Sequence, residues 1–142
     1  MNIDEMLDRA REQLHRLDAK QAADALANGA VIVDIRIAAQ QRAHGMVPGA
    51  IAVNRNELEW LADPNAEWFD PRITERSGPL IIMCADGYAS SLAAVTMQQL
   101  GVEDATDMID GFTGWRDAGL PTEPVTDDVI NRISGWDSPA SH

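Results

Sequence analysis

The chain has 142 residues, of which 45% are hydrophobic, and its formal net charge at pH 7 is −12. This length fits one domain, which buries roughly 70% of the surface that the unfolded chain exposes. Nucleic acids and anionic membranes would be repelled by so acidic a surface, which excludes both as main partners.

No stretch has the apolar length of a membrane span, and the polar N-terminal region lacks the apolar core of a signal peptide. The chain has one cysteine, which excludes an internal disulfide and a Cys-x-x-Cys redox pair. We therefore expect a cytoplasmic location, where thiols stay reduced.

The first part of the chain is predicted to form two helices with a short strand between them. Apolar residues with helical spacing over residues 1–11 predict an amphipathic helix, which we expect to be only a cap on the main body. A short strand is expected near Leu17. Asp18 and Gln21 have the spacing of a capping box, so the second helix is predicted over Ala19–Ala27.

The rest of the chain alternates apolar strand patterns with helical ones. Together with the strand near Leu17, four further strands are predicted at residues 31–36, 51–53, 80–83 and 105–109. Short helices are expected at residues 37–43, 56–61 and 113–118, and residues 63–77 are expected to form a connecting segment. This alternation predicts an α/β fold with a mainly parallel, five-stranded sheet flanked by helices on both faces.

Cys84 directly follows the predicted strand at residues 80–83, and Gly87 comes three residues later, where a tight loop requires unusual backbone angles. A helix is predicted from Ser90 to Leu100. The residues expected on its buried face are Leu92, Val95, Thr96 and Gln99. Loop amides and the helix dipole would stabilise a thiolate at this place. A lone cysteine after an apolar strand is also typical of a small buried hydrophobic residue, so this feature alone leaves both interpretations open.

Asp34 ends another predicted buried strand, at the edge of a parallel sheet where functional sites form. Asp34 and Arg36 are therefore candidates to support a site. They are equally well placed to form an ion pair, and we favour this structural role.

Four blocks of the sequence, in this order, resemble a single-domain rhodanese. The blocks are residues 31–36, residues 45–51, Cys84 with its loop, and residues 110–121. The resemblance covers roughly residues 17–123. It implies an N-terminal helical extension at residues 1–14, a rhodanese-like domain at 15–124 and a tail at 125–142. Within the tail we expect one or two helical turns at 127–133, followed by a loose segment that contains Trp136.

The resemblance implies a sulfurtransferase. Rhodaneses take a sulfane sulfur from a donor such as thiosulfate, hold it as a cysteine persulfide and pass it to a thiophilic acceptor. Cys84 would be the nucleophile, and the backbone N–H groups of the following loop would surround the sulfur. The implied active-site loop consists of Ala85, Asp86, Gly87, Tyr88, Ala89 and Ser90. No cofactor or metal is implied, and the expected partners are a small-molecule sulfur donor with a thiol acceptor, or a sulfur-carrier protein.

Two positions depart from the family pattern. The family often has an arginine where this chain has Ala89, and commonly a histidine where it has Met46. Asp86 also adds a carboxylate to the loop, which opposes the binding of anions. These differences favour an organic persulfide over thiosulfate as the donor. Positive charge could come from elsewhere in the chain, and the candidates are Arg36, Arg55 and Arg116.

There are two alternatives to a sulfurtransferase. Cysteine-based phosphoester hydrolysis requires an arginine at the position of Ser90, six residues after the cysteine, so the sequence disfavours it. A non-catalytic binding or sensor module is the second alternative. The intact Cys84 argues against a non-catalytic module, and the missing loop arginine argues for one.

Overall fold

The computed structural model of the chain describes residues 1–126. The helical turns expected at residues 127–133 and the segment that contains Trp136 lie outside the described residues.

One parallel sheet forms the centre of the described chain, with strand order β2-β1-β3-β4. The strands are β1 (Val31–Asp34), β2 (Ile51–Ala52), β3 (Leu80–Met83) and β4 (Thr106–Asp107). In the two central strands Val31 lies opposite Leu80, and Asp34 lies opposite Met83. All four residues of β3 are buried, as expected for a strand covered by helices on both faces.

The prediction of five strands is wrong by one. Leu17 makes only an isolated parallel bridge to Met108. Its N–H donates to the carbonyl of Asp107 at 3.1 Å, and its own carbonyl accepts from the N–H of Ile109 at 2.8 Å. The next residue, Asp18, is already the N-cap of a helix, so the chain turns away from the sheet before a strand can form.

Seven α-helices occur within residues 1–126. They are α1 (Ile3–Glu12), α2 (Ala19–Ala27), α3 (Ala38–His44), α4 (Leu58–Ala62), α5 (Pro71–Thr74), α6 (Ala89–Gln99) and α7 (Gly111–Asp117), with a 3-10 turn at Arg55–Glu57. The predicted capping box of α2 is confirmed, because the Asp18 and Gln21 side chains each accept the other residue's N–H. No helix among these residues combines the length and the apolar character that crossing a bilayer requires.

Side chains that alternate along the strands divide the core into two layers. Val33, Ile82 and Cys84 belong to the layer that α4, α5 and α6 cover. Ile32 and Ile81 belong to the opposite layer, which α2 and α7 cover. Helices on both faces are what the sequence predicted.

Helix α6 buries a different face from the predicted one. Its buried residues are Ser90, Ser91, Ala93, Ala94 and Met97, whereas Leu92, Val95 and Thr96 are half-buried and Gln99 is exposed. Small residues allow the helix to pack closely against β3 and β4, and α1 packs on its outer side through Leu7 and Ala10. Leu92 and Val95 consequently lie at the edges of the contact, whereas Met97 is fully buried.

Candidate active site

Cys84 is the first residue after β3 and is 7% exposed. Its Sγ lies 3.2 Å from the backbone nitrogen of Gly87 and 3.4 Å from that of Ser90, and both N–H groups point at the sulfur. Two of the predicted loop amides thus contact the thiol. Ser90 lies in the first turn of the eleven-residue helix α6, so the positive end of the helix dipole also faces the sulfur.

Gly87 is required for this arrangement. Its φ of +84° lies in a region that side-chain-bearing residues rarely adopt, and an added Cβ would lie 2.9 Å from the nitrogen of Asp110. The sequence signal of a glycine three residues after Cys84 therefore has a structural basis.

Helix α7 fixes the start of the loop from below. The N–H of Phe112 donates to the carbonyl of Cys84 at 2.9 Å, and the N–H of Thr113 donates to the carbonyl of Ala85 at 3.0 Å. A Cβ on Gly111 would overlap the carbonyl oxygen of Cys84. Gly111 allows the helix to approach the loop closely enough for these two hydrogen bonds.

Two arginines from the N-terminal region hold the middle of the loop. Arg11 Nη2 lies 2.8 Å and Arg16 Nη2 lies 3.0 Å from the carbonyl oxygen of Gly87. Arg11 also donates to Ser91 Oγ at 3.3 Å and lies over the ring of Tyr88. Because a trans peptide places C=O and N–H on opposite sides, the N–H of Tyr88 must point away from these arginines. The sequence did not predict that α1 contacts the loop.

Asp107, at the end of β4, connects this network to α6. Its carboxylate is fully buried and accepts hydrogen bonds from Arg16 Nε at 2.8 Å, from Ser90 Oγ at 2.8 Å and from Ser91 Oγ at 2.7 Å. Sequence reasoning missed this residue. Asp107 is in the middle of the strand predicted at residues 105–109, whereas β4 ends at Asp107, so the rule that pointed to Asp34, an acidic residue at the carboxyl end of a parallel strand, was not applied there.

Asp34 and Arg36 form the ion pair that the sequence favoured. Arg36 Nη2 lies 2.8 Å from Asp34 Oδ2, and Arg36 Nε lies 3.1 Å from Asp34 Oδ1. The same Nη2 donates to the carbonyl of Gly45 at 2.7 Å, and the guanidinium lies 3.8 Å from the ring centroid of Phe112. The charge of Arg36 is therefore balanced within the protein.

The remaining predicted positions lie apart from the sulfur or face solvent. Asp86, Tyr88 and Ala89 are exposed, and Asp86 Oδ1 accepts from Thr113 Oγ1 at 2.8 Å. Met46 lies in the core and is 1% exposed. Of the remaining candidate cations, Arg55 pairs with Glu59, and Arg116 is exposed on α7.

A small cleft of about 160 Å³ opens beside the first two loop residues. Its lining includes Arg36, His44, Ala85, Asp86, Phe112 and Arg116. On the other side of Asp86 lies a shallower and more acidic depression, which Asp110 and Asp117 also line. Cys84 thus lies at the base of a loop that separates two surfaces of different charge.

Residues 18–118 match the sequence model of a family described as Rhodanese-like domain. Thiosulfate sulfurtransferase GlpE of Haemophilus influenzae strain PittEE is 32% identical over 107 residues, which are 73% of this chain and 90% of that protein. GlpE of strain ATCC 51907 of the same species is 31% identical over the same shares of the two chains.

Two solved structures are also similar. A protein of unknown function from Rhodopseudomonas palustris CGA009, described as a possible tyrosine phosphatase, has a TM-score of 0.79 at 33% identity, covering 87% of this chain and 95% of its own. A thiosulfate sulfurtransferase from Pseudomonas aeruginosa has a TM-score of 0.64 at 22% identity, covering 87% of this chain and 23% of its own. The second similarity concerns the fold alone.

Proposed function

Since this chain belongs to the rhodanese-like domain family, we propose that it is a sulfurtransferase that carries a sulfane sulfur as a persulfide on Cys84. The observation that carries the proposal is the pair of N–H groups, from Gly87 and Ser90, that point at Sγ from the loop and from the start of α6. Such an arrangement stabilises a sulfur anion before and after the transfer.

The proposed reaction has two steps. The Cys84 thiolate attacks the outer sulfur of a donor R–S–S⁻, a new S–S bond forms, the S–S bond of the donor breaks, and R–S⁻ leaves. An acceptor thiolate then attacks the outer sulfur of the Cys84 persulfide and releases the Cys84 thiolate. Charge and sulfur balance in each step, and no external oxidant or reductant is required.

The donor that we propose is an organic persulfide rather than thiosulfate. Ala89 supplies no charge at the start of α6, and Asp86 adds a negative one. The guanidinium groups of Arg11, Arg16 and Arg36 donate to protein oxygens. Arg116 lines the cleft beside the loop together with Asp86, so a dianionic donor would meet little net positive charge there.

Phosphatase chemistry is not proposed, although one structural neighbour is described as a possible tyrosine phosphatase. A guanidinium clamp would have to occupy the position of Ser90, six residues after Cys84. Ser90 is buried, and its hydroxyl donates to Asp107 at 2.8 Å. That position therefore holds a hydroxyl bound to Asp107 and supplies no cation to clamp a phosphate on Cys84.

The direct test is intact-mass spectrometry after incubation with glutathione persulfide or with thiosulfate. We expect the mass of one added sulfur atom, its removal by dithiothreitol, and its absence from Cys84→Ser. Circular dichroism of Cys84→Ser confirms that the control is folded. A wild-type protein that stays unmodified with both donors contradicts the proposal and favours the non-catalytic binding module.

The choice of donor has its own test. Ala89→Arg should raise kcat/KM for thiosulfate by about one to two powers of ten, the equivalent of one charge-assisted hydrogen bond of roughly 1.5–3 kcal/mol. Ala89→Met is the matched control, since it adds length without charge. Efficient use of thiosulfate by the wild type, unchanged in Ala89→Arg, would show that other residues bind the anion.

A further inference from the structure

The cleft beside the loop has the size of a small head group. It lies between α3 and α7 and begins at Ala85, the residue after Cys84. A cavity of about 150 Å³ holds a benzene molecule, so the volume of about 160 Å³ found here accommodates about six non-hydrogen atoms. Cys84 is not among the lining residues, so a ligand held in the cleft needs an extension past Ala85 to reach the sulfur.

Arg116 brings a positive charge to the cleft. Arg116 Nη1 lies 3.5 Å from His44 Nδ1, and its guanidinium lies 6.0 Å from the ring centroid of Phe112. No carboxylate in the described part of the chain, residues 1–126, pairs with Arg116. Arg36, which also lines the cleft, is already paired with Asp34. A guanidinium with available donors matches a carboxylate in geometry and charge.

Asp86 brings a negative charge to the same cleft. Asp86 is exposed, and Oδ1 accepts one hydrogen bond, from Thr113 Oγ1 at 2.8 Å. A carboxylate has about four lone-pair sites, so this contact leaves acceptor capacity for an ammonium group. A cleft lined by one guanidinium and one carboxylate with free acceptor capacity favours a zwitterion over a dianion.

We infer that this cleft binds the head group of an α-amino-acid persulfide, with the ligand's carboxylate on Arg116 and its ammonium on Asp86. The inference rests on the proposed function, because it places the short side chain of such a ligand, with its outer sulfur, toward Cys84. The Cys84 thiolate attacks that outer sulfur, the donor's S–S bond breaks, and the amino-acid thiolate leaves. Asp86, which opposes thiosulfate, is then a specificity-determining residue for the ammonium group.

Three donors that differ only in the head group test the inference. Cysteine persulfide has both charges, N-acetylcysteine persulfide lacks the ammonium, and cysteamine persulfide lacks the carboxylate. The rate at which each donor loads Cys84 is followed by rapid quench and intact mass in wild type, Arg116→Gln and Asp86→Asn. Arg42→Gln is the matched control, because Arg42 is exposed in the last turn of α3 and does not line the cleft.

Cysteine persulfide should load the wild type fastest. Arg116→Gln should slow the two carboxylate-bearing donors about tenfold and leave cysteamine persulfide unchanged. Asp86→Asn should slow the two ammonium-bearing donors and not N-acetylcysteine persulfide. Arg42→Gln should behave as wild type with all three.

Two results overturn the inference and leave the proposed function standing: equal loading of wild type by all three donors, or equal slowing of all three by each variant. The second result would mean that the substitutions disturb the loop rather than a head-group contact. Absence of loading by every donor would overturn the proposed function itself, and the inference with it.

Discussion

Two buried ion pairs flank Cys84, one at the end of each strand that borders β3. Asp34–Arg36 joins residues two positions apart, and its side chains are 0% and 1% exposed. Asp107–Arg16 joins residues 91 positions apart, and Arg16 is 17% exposed. The two pairs resemble each other in chemistry and differ in what they connect.

The first pair remains within the segment that follows β1, where Arg36 also binds the carbonyl of Gly45. The second pair connects three parts of the molecule, since Asp107 accepts from Ser90 and Ser91 in α6 and Arg16 binds the carbonyl of Gly87. Loss of the first pair should therefore affect the stability of the fold, and loss of the second should affect the active-site loop as well.

The largest expected effect is that of Arg36→Met, which leaves the fully buried carboxylate of Asp34 without a counter-charge. Breaking a buried pair in this way costs about 3–5 kcal/mol of unfolding free energy. Urea denaturation measures it, with Arg42→Met as the exposed control. A loss below about 1 kcal/mol would show that the charge of Arg36 is not needed at the end of β1.

Arg16→Met should cost less stability, about 1–3 kcal/mol, because Asp107 keeps the hydroxyls of Ser90 and Ser91 as donors. It should also slow the loading of Cys84 from glutathione persulfide, since the Gly87 carbonyl loses one of its two guanidinium donors. If stability falls as far as in Arg36→Met while loading is unchanged, the two pairs are equivalent and the comparison fails.

Arg11→Met separates the loop effect from the ion pair. Within residues 1–126 Arg11 binds the Gly87 carbonyl and Ser91 Oγ but no carboxylate, so we expect a loss of about 0.5–1.5 kcal/mol. The rate at which Cys84 is loaded should fall by more than the fraction of folded protein does. Arg11→Lys should restore part of this rate. Equal rates in Arg11→Met and wild type would indicate that α1 only covers α6.

The smallest effect is expected at Asp70–Arg72, which repeats the geometry of Asp34–Arg36 at the surface. Arg72 Nη2 lies 2.7 Å from Asp70 Oδ2, and Arg72 Nε lies 3.1 Å from Asp70 Oδ1, but Arg72 is 40% exposed. Solvent screening reduces the expected cost of Arg72→Met to below about 1 kcal/mol. The contrast with Arg36→Met measures the combined effect of burial and of the contacts of Arg36 with the Gly45 carbonyl and the Phe112 ring.

This small effect should depend on pH. Burial alone would raise the pKa of Asp70, but the hydrogen bonds and charge of Arg72 outweigh it, and the pKa of Asp70 is lowered. A lowered pKa means that folding favours the ionised carboxylate. The contribution is fully present above the pKa of the unfolded chain, about 3.9, and is lost as the pH falls through the lower folded value. Urea curves of wild type and Arg72→Met should therefore converge in acid; a constant difference would exclude Asp70 as its origin.

The features that the sequence predicted correctly depend on neighbours in the chain. The apolar run before Cys84, the glycine at position 87 and the capping box of α2 are all local patterns, and the Asp34–Arg36 pair spans two residues. Each of these can be derived from backbone geometry and spacing without knowledge of the tertiary structure.

The features that were missed depend on contacts between distant segments. Spacing does not reveal that Arg16 meets Asp107, or that Arg11 reaches the loop 76 residues later. The buried face of α6 was predicted from its larger apolar residues, but close packing against the sheet selects Ala93 and Ala94 instead. The strand near Leu17 failed because the cap at Asp18 ends it after one bridge.

The presence of a single cysteine in 142 residues has a kinetic consequence. For a transferase with this arrangement, the sulfur can be stored at one atom only, and no second thiol in the chain can relay it. Donor and acceptor must therefore visit Cys84 in alternation, which gives ping-pong kinetics. An excess of donor then accumulates the persulfide form and an excess of acceptor accumulates the free thiolate, so the ratio of the two reactants determines which form of the protein predominates.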